Sequence, residues 1–123
     1  MSELGRLSPA NPNDLSQLTG YIQTLQTRLS ISLSGDERLC DAREPSHRIT
    51  ARARHGGDVQ IGSAWLKTAK HGPHKGARFF SITIDDPSLD RPLNVAAIRD
   101  DTSDDWIVIW RRRGAQAVVG AAA

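Results

Sequence analysis

Arg48, Arg52 and Arg54 stand at even positions of the segment SHRITARARH (residues 46–55), with Ile49, Ala51 and Ala53 between them. Successive side chains of an extended strand point to opposite faces, so this spacing puts three guanidinium groups on one side and an apolar row on the other. Lys67, Lys70, Lys75 and Arg78 follow in the next stretch of chain. If the arginine strand pairs with that stretch, the seven cations form one stripe. Such a stripe suits a polyanion, because each Lys or Arg that neutralises a phosphate releases condensed counterions. Aromatic residues lie near it in sequence, at Trp65, Phe79 and Phe80, and again at Trp106 and Trp110. Small β-barrels bind single strands by combining a basic groove with stacking aromatics. Packing competes for the same rings: one of Phe79 and Phe80 must face inward, and Trp106, Val108 and Trp110 share a face that reads as core.

The second group of charges is acidic. Asp85 and Asp86 precede Pro87, and Asp100, Asp101, Asp104 and Asp105 crowd one short turn. Carboxylates of the later group could mimic phosphate toward an arginine-rich partner. Aspartate is also the residue that turns favour for hydrogen bonds to their own backbone. The calcium-loop pattern is absent, and no nucleophile elbow, P-loop or dinucleotide glycine fingerprint occurs. His71 and His74 stand three apart in a Gly/Pro/Lys loop, with no cysteine pair or carboxylate at ligand spacing, so His47, His55, His71 and His74 all read as solvated loop residues. No metal, no cofactor and no catalytic residue is expected, and the chain does not read as an enzyme.

The net charge of +2 conceals a segregation. Residues 43–78 carry eight Lys/Arg against two acids, whereas residues 79–110 carry two Arg against seven Asp. Either one face meets a polyanion or an acidic partner, or the two blocks neutralise each other across adjacent strands. No apolar run approaches the roughly 20 residues a membrane helix needs. The opening MSELGRLSP has an early acid and no apolar export core. With Cys40 as the single cysteine, reading as an inert loop thiol, the expectation is a cytoplasmic protein without disulfides.

The elements that must position these charges are strands. RLSISLS at 28–34 alternates cleanly, and so does the arginine segment; Gly56-Gly57 ends the latter. Two stronger signals follow, Val59–Lys67 and Ala77–Ile84, joined by a basic loop into a hairpin that Asp85-Asp86-Pro87 closes. Further strands fall near Leu4–Leu7, over residues 19–26, over Leu93–Arg99 and from Trp106. Residues 8–18 read as a Pro/Asn loop, and residues 34–46 as another. The sum is an all-β fold, a small antiparallel barrel or sandwich of seven to eight short strands, with residues 1–113 as one domain. Residues 114–123 read as a flexible, Ala-rich tail, and Arg111–Arg113 as a solvated terminus.

Several segments carry a family resemblance: VQIGSAWLKTAK at 59–70, RFFSITIDDPS at 78–88, WIVIWRR at 106–112, and LGRL and LTGYIQTL at 4–7 and 18–25. From about Leu4 to Arg113 the chain resembles the family catalogued as domain of unknown function 736, most specifically in IGSAW and DDPS. The loop HGPHKG at 71–76 is longer and more basic than that family's turn, and the Ala-rich tail is extra. The resemblance implies a short proteobacterial protein of plasmids or integrative conjugative elements, an accessory that contacts DNA or blocks a host defence complex. The expected function is therefore a binding module: the basic residues contact nucleic acid, or the protein inhibits a host nucleoprotein complex through its acidic or basic surface. An open edge strand could also recruit a second copy as a homodimer.

Overall fold

The alternation of apolar and polar residues resolves into eight strands in the computed structural model, which describes residues 3–110 apart from Gln26, His74, Ser88 and Asp90. They are β1 (Glu3–Asn11), β2 (Asp14–Gln23), β3 (Arg28–Gly35), β4 (His47–Arg52), β5 (Asp58–Thr68), β6 (Arg78–Ile84), β7 (Leu93–Arg99) and β8 (Trp106–Trp110). Each strand pairs antiparallel with its sequence neighbour, and β1 pairs with β8, so the sheet closes into a barrel. The choice between barrel and sandwich is thus settled for the barrel. Closure also removes the open edge on which the homodimer expectation rested.

The interior is filled by the inward residues of every strand, among them Leu7, Leu18, Ile22, Leu33, Ile49, Leu66, Phe80, Ile82, Val95 and Val108. Phe80 meets the Trp106 ring edge to face at 5.0 Å between centroids and the His47 ring at the same distance. Side chains from β4, β6 and β8 therefore bridge the barrel. Sequence had placed His47 with the solvated histidines; it is only 2% exposed. Its parity with Ile49 explains the correction, since both point inward from β4.

Two further segments depart from the sequence reading. Residues 8–18 are not a loop: β1 runs through Pro9 to Asn11 and turns directly into β2. Pro9 is tolerated because β8 pairs with β1 only as far as Leu7↔Trp106, so the missing N–H faces no ladder on that side. The β3–β4 connection contains a 3-10 turn, Glu37–Leu39, capped by the Asp36 carboxylate, which accepts from the Arg38 N–H.

In this up-and-down order the turns at 12–13, 36–46, 69–77 and 100–105 share one end of the barrel, and those at 24–27, 53–57 and 85–92 share the other. The 36–46 connection lies across the first end. Glu37 holds Arg78 of β6 at 3.1 Å, and Asp41 bonds Leu66 and Thr68 of β5. At the second end Leu25, Val59 and Trp110 are exposed. Trp110 shares the inward parity of Trp106 and Val108, yet β8 carries it to the rim, where half of it meets solvent.

Candidate nucleic-acid interface

The outer face of β3, β4 and β5 is built from small polar residues around the arginine row. Ser34 lies opposite Arg48, which lies opposite Ser63; Ser32 lies opposite Thr50, which lies opposite Gln60. The register slips between Ile49 and Thr50, leaving Ile61 as an extra residue in β5. Such a bulge bends its strand and re-aims neighbouring side chains. Here it separates Gln60 from Ser63 and opens a shallow groove of about 520 Å³, with Arg48 in its wall beside Ser34, Gly35, Pro45, Gln60 and Ser63. Buried Ser46 and His47 form its floor.

Two glycines allow the strands to come this close. A methyl group on Gly35 would collide with the Ser46 carbonyl oxygen and the His47 ring, and one on Gly62 would collide with the Thr83 carbonyl oxygen. Either clash is with backbone and has no flexible way out.

Hydrogen bonding divides the groove into fixed walls and open donors. Ser34 donates to Gln17 at 2.7 Å. The Ser46 hydroxyl accepts the Leu66 N–H and lies 2.8 Å from His47 Nδ1, so it is committed to the interior. The side chains of Gln60 and Ser63 have no hydrogen-bond partner among the described residues. No carboxylate there lies within ion-pair distance of Arg48, Arg52 or Arg54, although Asp58 stands directly opposite Arg52 in the ladder. Trp65, two residues past Ser63 on the same outer face, donates its ring N–H to the Arg43 carbonyl at 3.2 Å. That bond holds the half-buried indole in place beside the groove.

The seven cations fall on β4, on β5, at the start of β6 and in the turns at both ends of these strands. Arg48 and Arg52 project outward from β4, and Arg54 continues the row into the β4–β5 turn at the second end. Lys67 sits on β5 near the first end, and Lys70 and Lys75 belong to the β5–β6 loop there. Arg78 is tied to Glu37. The pairing of β4 with β5 was anticipated correctly, but β5 outruns β4: their ladder ends at His47↔Ala64, before Lys67. Phe79, next to inward Phe80, is also buried, so neither phenylalanine offers a stacking face.

The acidic residues divide as well. Arg6 of β1 reaches Asp100 at 2.9 Å and Asp105 at 3.6 Å, and Ser8 donates to Asp105 at 2.7 Å. The Thr102 N–H and the Arg6 guanidinium hold the Asp100 carboxyl well below the usual carboxylate range. Asp104 pairs loosely with Arg99 at 3.5 Å, and Asp101 is exposed. Asp100 and Asp105 are thus held by β1, while Asp101 and Asp104 stay exposed. Among the described residues no group of three or more His, Cys, Asp or Glu could hold a metal ion, and no helix is long and apolar enough to cross a membrane. Cys40 packs against the core, 3.6 Å from Thr68 Oγ1. His74, Arg111–Arg113 and the tail at 114–123 lie outside the described residues.

Fold and site together define a small, closed, antiparallel β-barrel with a cation-bearing groove on its outer wall. The chain belongs to the family described as protein of unknown function (DUF736), whose model matches residues 7–113. Comparison with curated proteins and with solved structures returned no match.

Proposed function

We propose that this protein is a non-enzymatic binding module that contacts nucleic acid through the outer face of β4, with Arg48, Arg52 and Arg54 as its principal cations. One observation carries the reading: Arg48 and Arg52 project from one face of β4 and, with Arg54 in the turn that follows, make no ion pair among the described residues, while Arg6, Arg38, Arg78 and Arg99 are each paired with a carboxylate. Four residues of strand separate Arg48 from Arg52, about 13 Å, so the row can follow a phosphate backbone. Lys67, four residues past Ser63 on the outward face of β5, and Lys70 and Lys75 in the loop beyond it extend the cationic surface toward the first end. The acidic alternative has weaker support, because Asp100 and Asp105 are engaged by β1. A mobile-element accessory that handles DNA is the setting this reading favours.

Fluorescence anisotropy with labelled DNA at several salt concentrations tests the proposal. The native protein should bind at micromolar or lower concentration with affinity that falls steeply as salt rises. The triple variant Arg48→Glu, Arg52→Glu, Arg54→Glu should lose at least a hundredfold in affinity while keeping its circular dichroism spectrum. Equal affinity in the variant would reject the β4 face.

A further inference from the structure

We infer that the Arg48 groove is a seat for one phosphodiester of a single-stranded nucleic acid, with Trp65 as the stacking platform for the adjoining base. The inference rests on the nucleic-acid reading above and goes beyond it in naming the strandedness and the residues of the seat.

The groove presents donors and no carboxylate. Arg48 offers a planar fork of N–H groups suited to phosphate oxygens. Gln60 and Ser63 add an amide and a hydroxyl that nothing else in the described structure uses. All three project from paired strands, so their positions are set before any ligand arrives, which lowers the ordering cost of binding. The bulge at Ile61 creates the gap between Gln60 and Ser63 in which an anion would lie.

Trp65 decides the strandedness. Arg48 faces Ser63 across the ladder and Trp65 follows two residues later, so the two Cα atoms are about 8 Å apart by strand spacing and rise. That is within the reach of one nucleotide. Directly opposite Trp65 across the next ladder stands Ser81, with Ala96 opposite Ser81 and Phe79 on the diagonal. A base can use this ring only if it is unstacked from its own neighbours, as in a single strand; a duplex would offer Arg48 its phosphates and leave the tryptophan idle.

The test titrates labelled 20-residue oligothymidylate, oligouridylate and a duplex of equal length into the native protein, Arg48→Ala and Trp65→Phe, reading both anisotropy and tryptophan emission. One or both single strands should bind more tightly than the duplex and quench the emission. Arg48→Ala should weaken binding about tenfold and lower the salt slope by about 0.7. Trp65→Phe should lose most of the quenching and about fivefold or more in affinity. Ser63→Asp, which sets a carboxylate beside Arg48 without touching the indole, should weaken binding as strongly as Arg48→Ala. Native binding that Arg48→Ala, Trp65→Phe and Ser63→Asp leave unchanged would overturn the seat and spare the β4 face. Preference for the duplex would also overturn it. Absence of binding to all three ligands would overturn both readings.

Discussion

The proton on His47 can be located from its partners. Nε2 lies 2.5 Å from the Leu15 carbonyl, which only accepts, so Nε2 carries the hydrogen. The single Ser46 hydroxyl proton must then choose between His47 Nδ1 at 2.8 Å and the Ala64 carbonyl at 3.3 Å. Burial in the barrel holds the His47 pKa below its ordinary value, so Nδ1 stays unprotonated and takes the Ser46 hydroxyl. Between the lowered folded value and the ordinary one of 6.5, the unfolded chain binds more protons than the native barrel. The His47 contribution to stability is therefore complete above pH 6.5 and is lost as pH falls through the folded value. Urea unfolding should give a lower free energy at pH 5.5 than at pH 7.5, and His47→Leu should flatten that difference. An equal slope in the variant would assign the pH dependence to other groups. Ser46→Ala leaves both Nδ1 and the Leu66 N–H without a partner in the core, and should cost about 2 kcal/mol in the same assay at pH 7.5.

Among the connecting elements, the 36–46 segment depends on Asp41. This residue adopts φ 65°, the left-handed region that a side chain enters at some cost. Its Oδ1 accepts the Thr68 N–H at 2.8 Å, and its own N–H donates to the Leu66 carbonyl at 2.8 Å. The first of these bonds depresses the Asp41 carboxyl pKa. Both bonds fasten the connection to the last residues of β5, where Arg78 and Glu37 add a second tie. Asparagine keeps the acceptor and tolerates the backbone, so Asp41→Asn should change stability by about 0.5 kcal/mol or less. Asp41→Ala loses the bond and adds backbone strain, for a loss of about 2 kcal/mol. Thermal denaturation followed by circular dichroism separates the two, and equal midpoints would remove Asp41 from this role. None of this was visible in the sequence, where residues 34–46 read only as polar loop. β3 and β4 were legible because their alternation is clean. The β1–β2 hairpin was not, because Pro9 and the Pro/Asn run looked like the end of a strand.

Across the whole molecule, the bridge from His47 through Phe80 to Trp106 joins three strands that are not neighbours in the sheet. Phe80 is fully buried at its centre. Phe80→Ala should cost about 3–5 kcal/mol, and Phe80→Leu, which refills much of the space, clearly less. The measurement is the urea midpoint, and a loss below 1 kcal/mol for the alanine variant would mean the bridge is dispensable. Closure also redistributes charge. The acidic turn at 100–105 reaches Arg6, 94 residues from Asp100 in the chain, and Glu37 draws Arg78 out of the basic block. The segregation seen along the chain is thus partly cancelled in space. Arg48, Arg52 and Arg54 take part in no ion pair among the described residues, although Asp58 stands opposite Arg52.

Local alternation and turn chemistry by themselves determined that this chain is all-β, that it carries about eight antiparallel strands, and that Arg48 and Arg52 share a face of β4. Those properties depend on neighbours one or two residues away, and the backbone period reports them directly. Tertiary structure alone decided that the sheet closes, that His47 is interior, that Arg78 is drawn to Glu37, and that a bulge at Ile61 opens a groove beside Trp65. Each of these depends on strand length, register and which residues meet across the barrel, and register is set by the packing of all the inward faces at once.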